Sequence, residues 1–188
     1  YLKEPAEIEI NDNIIEARKL IWDLRKKINY SLIKMSPASF IHFGTTGELL
    51  DLMTNKIGKY KSIGWKQHTN SIAPSNITAI NSLIMNSKTK KGYIENSIVE
   101  NCVLGNNIII SNTIIKNQEV PDNTCISTIK TNSGYITRVY NNTDNPKNNL
   151  EHSSFKDNNI IDKLIKDRSI DLWNANIYPE QSTIEDSV

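Results

Sequence analysis

Asn81-Ser82-Leu83-Ile84 is the first copy of a short pattern that returns as Asn96-Ser97-Ile98-Val99 and again as Asn112-Thr113-Ile114-Ile115. The copies begin 15 and then 16 residues apart, and a finer period of five to six residues runs through them. An α-helix, with about 3.6 residues per turn, does not explain this period, and neither does an alternating strand. Three such periods per turn are typical of a chain that coils as a triangular prism.

The finer period predicts which residues fill the prism. Asn and Gly tolerate positive φ and are expected at the corners, where the recurring Asn side chains would stack as an amide ladder. Because one coil cannot bury its own apolar row, several coils must share a core. Residues 71–128 therefore predict a mainly β chain built on a left-handed parallel β-helix of hexapeptide repeats, with about three to four coils; the alternative is a β-sandwich with evenly spaced short strands. The aliphatic residues predicted to point inward are Ile98, Val103, Ile108, Ile114, Val120 and Ile126.

Composition is that of an ordinary globular protein, with 38% hydrophobic and 23% charged residues among 188. The net charge of +1 favours no nucleic-acid partner. There is no apolar run of membrane-spanning length and no basic-plus-apolar leader, which predicts a cytoplasmic chain without a membrane partner. Cys102 and Cys125 occupy inward-type positions of the repeat. They are predicted to be buried free thiols and not disulfide or metal ligands.

The segment before the repeat predicts a helix whose start is capped by Asn11 or Asp12. Its apolar residues recur at helical spacing, so an amphipathic helix of about four turns is expected, with the apolar face packed and the basic residues solvated. The residues on that face are Ile14, Ala17, Leu20, Ile21, Leu24 and Ile28.

Residues 40–53 predict a strand, a sharp turn and a capped helix. Phe40–Phe43 reads as the strand, Gly44 as the turn, and Thr45-x-x-Glu48 as a capping box. Hydroxyls and backbone N–H groups at the start of a helix favour an anionic ligand. The alternative is that the cap only caps the helix. The helix is expected to bury Leu49, Leu52 and Met53, and the candidate substrate-binding residues are His42, Gly44, Thr45, Thr46 and Glu48.

The remaining segments predict shorter elements. Lys88–Gly92 is expected to leave the prism as a loop, 135–140 to form a strand, and 141–149 a turn-rich loop. A second helix is expected over 155–165, a buried apolar segment over 172–179, and a frayed or linking tail over 180–188. The predicted domains are 1–65, 66–130 and 131–188.

Four blocks of the chain together resemble the fucose-1-phosphate guanylyltransferase family, from about residue 15 to 180. That family includes single-function enzymes and bifunctional proteins that carry an L-fucokinase on the same chain. The blocks are, in order, Phe40-x-His42-Phe43-Gly44-Thr45-Thr46-x-Glu48-Leu49, the hexapeptide β-helix, Tyr140 ahead of Asp144-Asn145-Pro146-Lys147, and Leu172-Trp173-Asn174-Ala175-x-Ile177-Tyr178-Pro179.

The resemblance implies an α/β nucleotide-binding domain followed by a β-helix, and an enzyme that makes GDP-fucose and pyrophosphate from GTP and β-L-fucose 1-phosphate. The Gly-rich phosphate-binding loop of such enzymes does not occur in these 188 residues. The chain is therefore expected to be the tail of the α/β nucleotidyltransferase domain, here a helix and short strands in 1–65, plus the β-helix and its cap. By itself it is expected to be inactive: Mg²⁺ belongs to the complete enzyme and is not held by this chain, and GTP binds through the missing half.

His42 departs from the pattern of related sugar nucleotidyltransferases, in which the corresponding strand ends in Trp-x-Asp-x-Gly-Thr and the Asp binds the metal. Imidazole is a poorer ligand for Mg²⁺ than a carboxylate. His42 is therefore expected to donate a hydrogen bond to the sugar or its phosphate, while Thr45 and Thr46 shape the sugar side of the cleft; a structural histidine is the alternative.

Two other functions remain open at this stage. A hexapeptide-repeat acyltransferase would use His68 or His152 as a base between the prisms of a trimer, although neither is expected to lie within the coils. A non-catalytic module would use the β-helix for oligomerisation, and a homo-oligomer formed through the β-helix is also an expected partner of the enzyme.

Overall fold

A computed structural model of the chain describes residues 11–36, 38, 40–41, 44–155, 165 and 169–188. The chain divides into two compact units, Tyr1–Ile41 and His42–Val188. The strand predicted over 40–43 is not formed at Phe40 and Ile41, the half of it that the structure describes, and its other half lies outside the described residues, as does most of the predicted second helix over 155–165. No helix in the described part of the chain is long and apolar enough to cross a membrane.

The first unit contains helix α1 (Asp12–Arg25), which confirms the helix predicted from apolar spacing. Its N-cap is Asn11, whose side chain accepts a hydrogen bond from the Ile14 N–H at 3.1 Å. None of its residues is buried. Leu20 is 67% exposed and Leu24 is 56% exposed, so the described residues of its own unit do not cover the apolar face that was expected to be packed.

The second unit is built around a parallel β-helix of about three turns, as predicted. The strands are β1 (His68–Thr69), β2 (Ile77–Ile80), β3 (Leu83–Met85), β4 (Lys88–Thr89), β5 (Gly92–Glu95), β6 (Ile98–Glu100), β7 (Val103–Leu104), β8 (Ile108–Ser111), β9 (Ile114–Lys116), β10 (Glu119–Val120), β11 (Thr124–Lys130), β12 (Tyr135–Asn141) and β13 (Glu180–Gln181). The three faces of the prism are the sheets β3-β6-β9, β4-β7-β10 and β1-β2-β5-β8-β11, and the last continues through the antiparallel strands β12 and β13. Parallel pairing between successive coils excludes the sandwich.

Asparagines turn the corners of the prism. Among the described residues, nine asparagines have φ between 47° and 61°, in the left-handed region that Asn tolerates better than other residues with a Cβ. Their side chains form the predicted amide ladder, and further ladder bonds join the Asn pairs at the other two corners. The longest column runs Asn70, Asn81, Asn96 and Asn112, with N–O distances of 2.9, 3.0 and 3.1 Å.

The predicted inward register is right for Ile108, Val120 and Ile126 and wrong for Ile98, Val103 and Ile114. Ile98 and Val103 are 37% and 46% exposed, and Ile114 is half-buried, whereas the residues after them are at most 1% exposed. At these three positions the small residue after the corner asparagine (Ser97, Cys102 or Thr113) already points inward, so strand alternation turns the next side chain outward and the third inward. The core residues are Ile77, Ala79, Ile84, Ile94, Val99, Cys102, Leu104, Ile108, Ile110, Ile115, Val120 and Ile126.

The segment Lys88–Gly92 stays within the prism, so the prediction of a protruding loop is wrong. Lys88 pairs with Val103 of the next coil, and the Lys90 N–H donates to the Leu104 carbonyl at 3.2 Å. Parallel pairing uses the backbone alone, so a polar segment completes the coil as well as an apolar one.

The C-terminal tail is docked on the second unit and is not frayed. β13 pairs with β12, and the Thr137 and Ser187 hydroxyls lie 2.6 Å apart. Val188 packs against the core of the prism, so the tail covers apolar surface of the β-helix.

Candidate functional site

One outer face of the prism carries a continuous row of side chains that helix α2 (Thr46–Asp51) covers. The row has one residue from each of five adjacent strands, and these residues are paired in register. On β2, β5, β8 and β11 the residues next to the row in sequence point into the core, so the row itself points outward. Leu50 and Met53 pack on its central members. The row is Thr78, Tyr93, Ile109, Cys125 and Tyr140.

Cys125 is buried and free, as predicted, but it lies in this outer row and not inside the prism as Cys102 does. Burial, followed by the charge of Asp144, raises the pKa of the Cys125 thiol to about 12. The thiol therefore packs as an apolar group beneath α2.

Helix α2 (Thr46–Asp51) begins at the predicted capping box and continues as a π-helical turn (Leu52–Lys56) and a 3₁₀ segment (Ile57–Ile63). The Thr45 hydroxyl accepts from the Glu48 N–H at 3.2 Å, and the Glu48 carboxylate accepts from the N–H groups of Gly44 and Thr45 at 2.8 and 3.0 Å. Leu52 and Met53 are buried as predicted, together with Leu50, and Leu49 is half-buried.

The direction of α2 brings its first residues to the far end of the prism. The Thr78 hydroxyl donates to the Met53 carbonyl at 2.6 Å, which fixes the end of the helix near the first coil. The start of the helix then lies beside Tyr140 on β12, and together they line a cleft of about 540 Å³. The cleft is completed by the loop Asn142–Lys147 and by Trp173.

Hydrogen bonds to the prism hold this loop in place. Asn142 is buried; its N–H donates to the Asn123 carbonyl at 2.8 Å and its side-chain amide to the Asn107 carbonyl at 2.7 Å. The Asp144 carboxylate accepts from the Asn141 N–H at 3.1 Å and from the Ser154 N–H and hydroxyl at 2.9 and 2.5 Å. The carbonyls of the corner residues Asn107 and Asn123 and the carboxylate of Asp144 therefore hold the loop in position.

The other end of the loop is joined to the segment that carries Trp173. The Trp173 N–H donates to the Pro146 carbonyl at 3.2 Å, and the Arg138 guanidinium lies over the indole ring at 4.5 Å. The indole is thus held between the loop and β12, with 48% of the residue still exposed.

The cleft presents hydrogen-bond donors. The Lys147 ammonium forms no hydrogen bond or ion pair with any residue that the structure describes. Burial raises the pKa of Tyr140, and the neighbouring Cys125 raises it further, so the phenol stays protonated and can donate. The Thr46 hydroxyl lies beside this phenol. A cation and two hydroxyls facing one space suit an anionic ligand that also carries hydroxyl groups.

The predicted site residues do not all reach the cleft. Gly44, Thr45 and Thr46 line it, whereas the Glu48 carboxylate is turned back to cap the helix. His42 lies outside the described residues. Asn142, Lys147 and Trp173 were not predicted as site residues, although Lys147 and Trp173 belong to the motif blocks that carry the family resemblance.

The described carboxylates near the cleft are Glu48 and Asp144, and both accept hydrogen bonds from their own loops. No cluster of three or more His, Cys, Asp or Glu suited to a metal occurs in the part of the chain that the structure describes.

Neither histidine of the acyltransferase alternative lines the cleft. His68 lies in β1, within the first coil, so the expectation that it lies outside the coils is wrong; its Nε2 is 2.9 Å from the Ile77 carbonyl. His152 is exposed in the short 3₁₀ turn Leu150–His152. Nothing in the described site favours acyl transfer.

The family model of the fucose pyrophosphorylase domain matches residues 1–183 of the chain. No curated protein and no solved structure matches the chain.

Proposed function

Because the chain belongs to the fucose pyrophosphorylase domain family, we propose that its cleft holds fucose 1-phosphate in an enzyme that forms GDP-fucose and pyrophosphate from GTP. The convergence of three separate segments on one donor-lined cleft carries the proposal. These segments are the turn Gly44–Gly47, the loop Asn142–Lys147 and Trp173, and each belongs to a motif of the family resemblance.

In this proposal the sugar phosphate binds through opposite charge and hydroxyl contacts. The Lys147 ammonium pairs with the phosphate, while Thr46 and Tyr140 donate to phosphate or ring oxygens. The apolar rings of Tyr140 and Trp173 offer faces against which a sugar packs. The chain thus orients the phosphate oxygen that attacks the α-phosphorus of GTP, and positioning of this kind accounts for much of the catalysis in phosphoryl transfer.

The proposal assigns GTP and the divalent cation to residues outside this cleft. No Gly-rich phosphate-binding loop occurs in the 188 residues, and the described residues hold no cluster of three or more His, Cys, Asp or Glu suited to a metal. The purified chain is accordingly expected neither to hydrolyse GTP nor to form GDP-fucose, and formation of GDP-fucose by it would contradict this assignment.

Calorimetric titration of the chain with fucose 1-phosphate tests the sugar site. Lys147→Gln removes the charge that pairs with the phosphate and is expected to weaken binding about ten- to a hundred-fold, since a charged hydrogen bond contributes about 1.5–3 kcal/mol. Lys88→Gln, on β4 and away from the cleft, is the matched control and is expected to bind like the parent. Equal binding by parent and Lys147→Gln would place the sugar phosphate elsewhere.

A further inference from the structure

A second, smaller pocket opens beside the cleft, on the outer face of the hairpin β11–β12. Its volume is about 110 Å³, against about 540 Å³ for the cleft. Tyr140, Pro146 and Trp173 line both spaces. The pocket therefore adjoins the cleft at these three residues.

The walls of this pocket are mainly apolar. Ile129 on β11 and Leu172 line it together with the shared Pro146 and Trp173, and the polar members are Ser127 and Arg138. Ile129 is 40% exposed and Trp173 is 48% exposed, so two large apolar side chains at the pocket remain in contact with water. An apolar ligand group would remove that surface from water.

We propose, resting on the proposed function, that this pocket receives the methyl group at carbon 6 of fucose and so selects 6-deoxyhexose 1-phosphates over their 6-hydroxy counterparts. A volume of 110 Å³ equals that of about four waters in the liquid, which is too small for a hexose ring and large enough for a methyl group. The phosphate and the ring hydroxyls stay in the polar cleft beside Thr46 and Lys147.

A hydroxyl in place of a methyl hydrogen would be buried against Ile129 and Leu172 and would lose hydrogen bonds to water. Apolar pockets discriminate against an added hydroxyl only moderately, by up to about a hundred-fold. Because Ser127 and Arg138 leave part of this pocket polar, we expect a preference of about tenfold.

The test is a pair of titrations of the full chain, one with β-L-fucose 1-phosphate and one with β-L-galactose 1-phosphate, which differs from it only by the hydroxyl at carbon 6. The parent is expected to bind fucose 1-phosphate about tenfold more tightly. Ile129→Thr keeps a β-branched side chain in the strand but makes the wall polar, and it is expected to narrow the ratio to about twofold or less. Ile98→Thr is the matched control, since Ile98 is 37% exposed on β6 of another face, and it should keep the parent's ratio.

The outcomes separate this inference from the function on which it rests. Equal binding of both sugars by the parent, or tighter binding of L-galactose 1-phosphate, overturns the inference and leaves the sugar site standing. The same ratio in Ile129→Thr and Ile98→Thr also overturns it. Binding of neither sugar by the parent refutes the proposed function and the inference with it. Should Ile129→Thr fail to fold, Ile129→Val, which shortens the wall by one methylene, must lower the ratio below the parent's.

Discussion

Ile114 and Ile115 are neighbours on β9 that face opposite sides of the prism wall. Ile115 is fully buried in the core, whereas Ile114 lies half-buried on the outside. Truncating a buried isoleucine to alanine leaves a cavity and costs about 2–5 kcal/mol, so Ile115→Ala should lose that much stability and Ile114→Ala less than about 1 kcal/mol. Urea unfolding of the two variants measures the difference. Equal losses, or a larger loss for Ile114→Ala, would contradict the register.

Cys125 is predicted to make stability depend on alkaline pH. Its pKa rises from 9.0 to about 12 on folding, so the folded state keeps a proton that the unfolded chain releases. The contribution of the protonated Cys125 thiol to the free energy of unfolding is complete below about pH 9 and is lost as the pH rises towards 12. Denaturant melts of the parent and Cys125→Ala should therefore differ less at about pH 10 than at about pH 8. A constant difference between the two would mean that the thiol is not buried under α2.

Corner asparagines combine a left-handed backbone with a ladder bond, and two substitutions at Asn96 separate these effects. Asn96 has φ of 47° and bonds Asn81 and Asn112. Asn96→Gly allows the left-handed backbone conformation and removes only the ladder hydrogen bonds. Asn96→Ala removes the same hydrogen bonds and also destabilises the left-handed conformation by about 1–2 kcal/mol. The alanine variant should therefore be less stable than the glycine variant in urea unfolding. Equal stabilities would show that the corner does not demand a left-handed residue.

Patterns among residues close in sequence were sufficient to predict some elements of the fold but not others. The capping box of α2 could be predicted because Thr45 and Glu48 interact within one helical turn. The register at Ile98 could not be predicted from hydrophobicity, since Ile98 and Val99 are equally apolar and only the corner at Asn96 decides which of them points inward. The strand at Lys88 forms through backbone pairing with the neighbouring coil, and the residue types in this strand do not indicate that pairing.

The cleft depends on contacts between distant segments. Thr46 meets Tyr140 because α2 packs along the outer row of the prism, and that row becomes visible only once the coils are in register. The order of the motif blocks indicated that these segments belong to one family, but it did not show that Lys147 and Trp173 face Thr46. The docking of the tail through Ser187 and Val188 was missed for the same reason.

NMR titration of the nitrogen-15-labelled chain with fucose 1-phosphate asks most directly whether this cleft is the sugar site. Chemical-shift changes are expected to saturate and to concentrate in the turn Gly44–Gly47, the loop Asn142–Lys147 and the Trp173 indole, because these groups line the cleft. Absence of saturable changes there, or changes concentrated in the groove along the β3-β6-β9 face around Asn96, Ile98 and Ile114, would contradict the assignment.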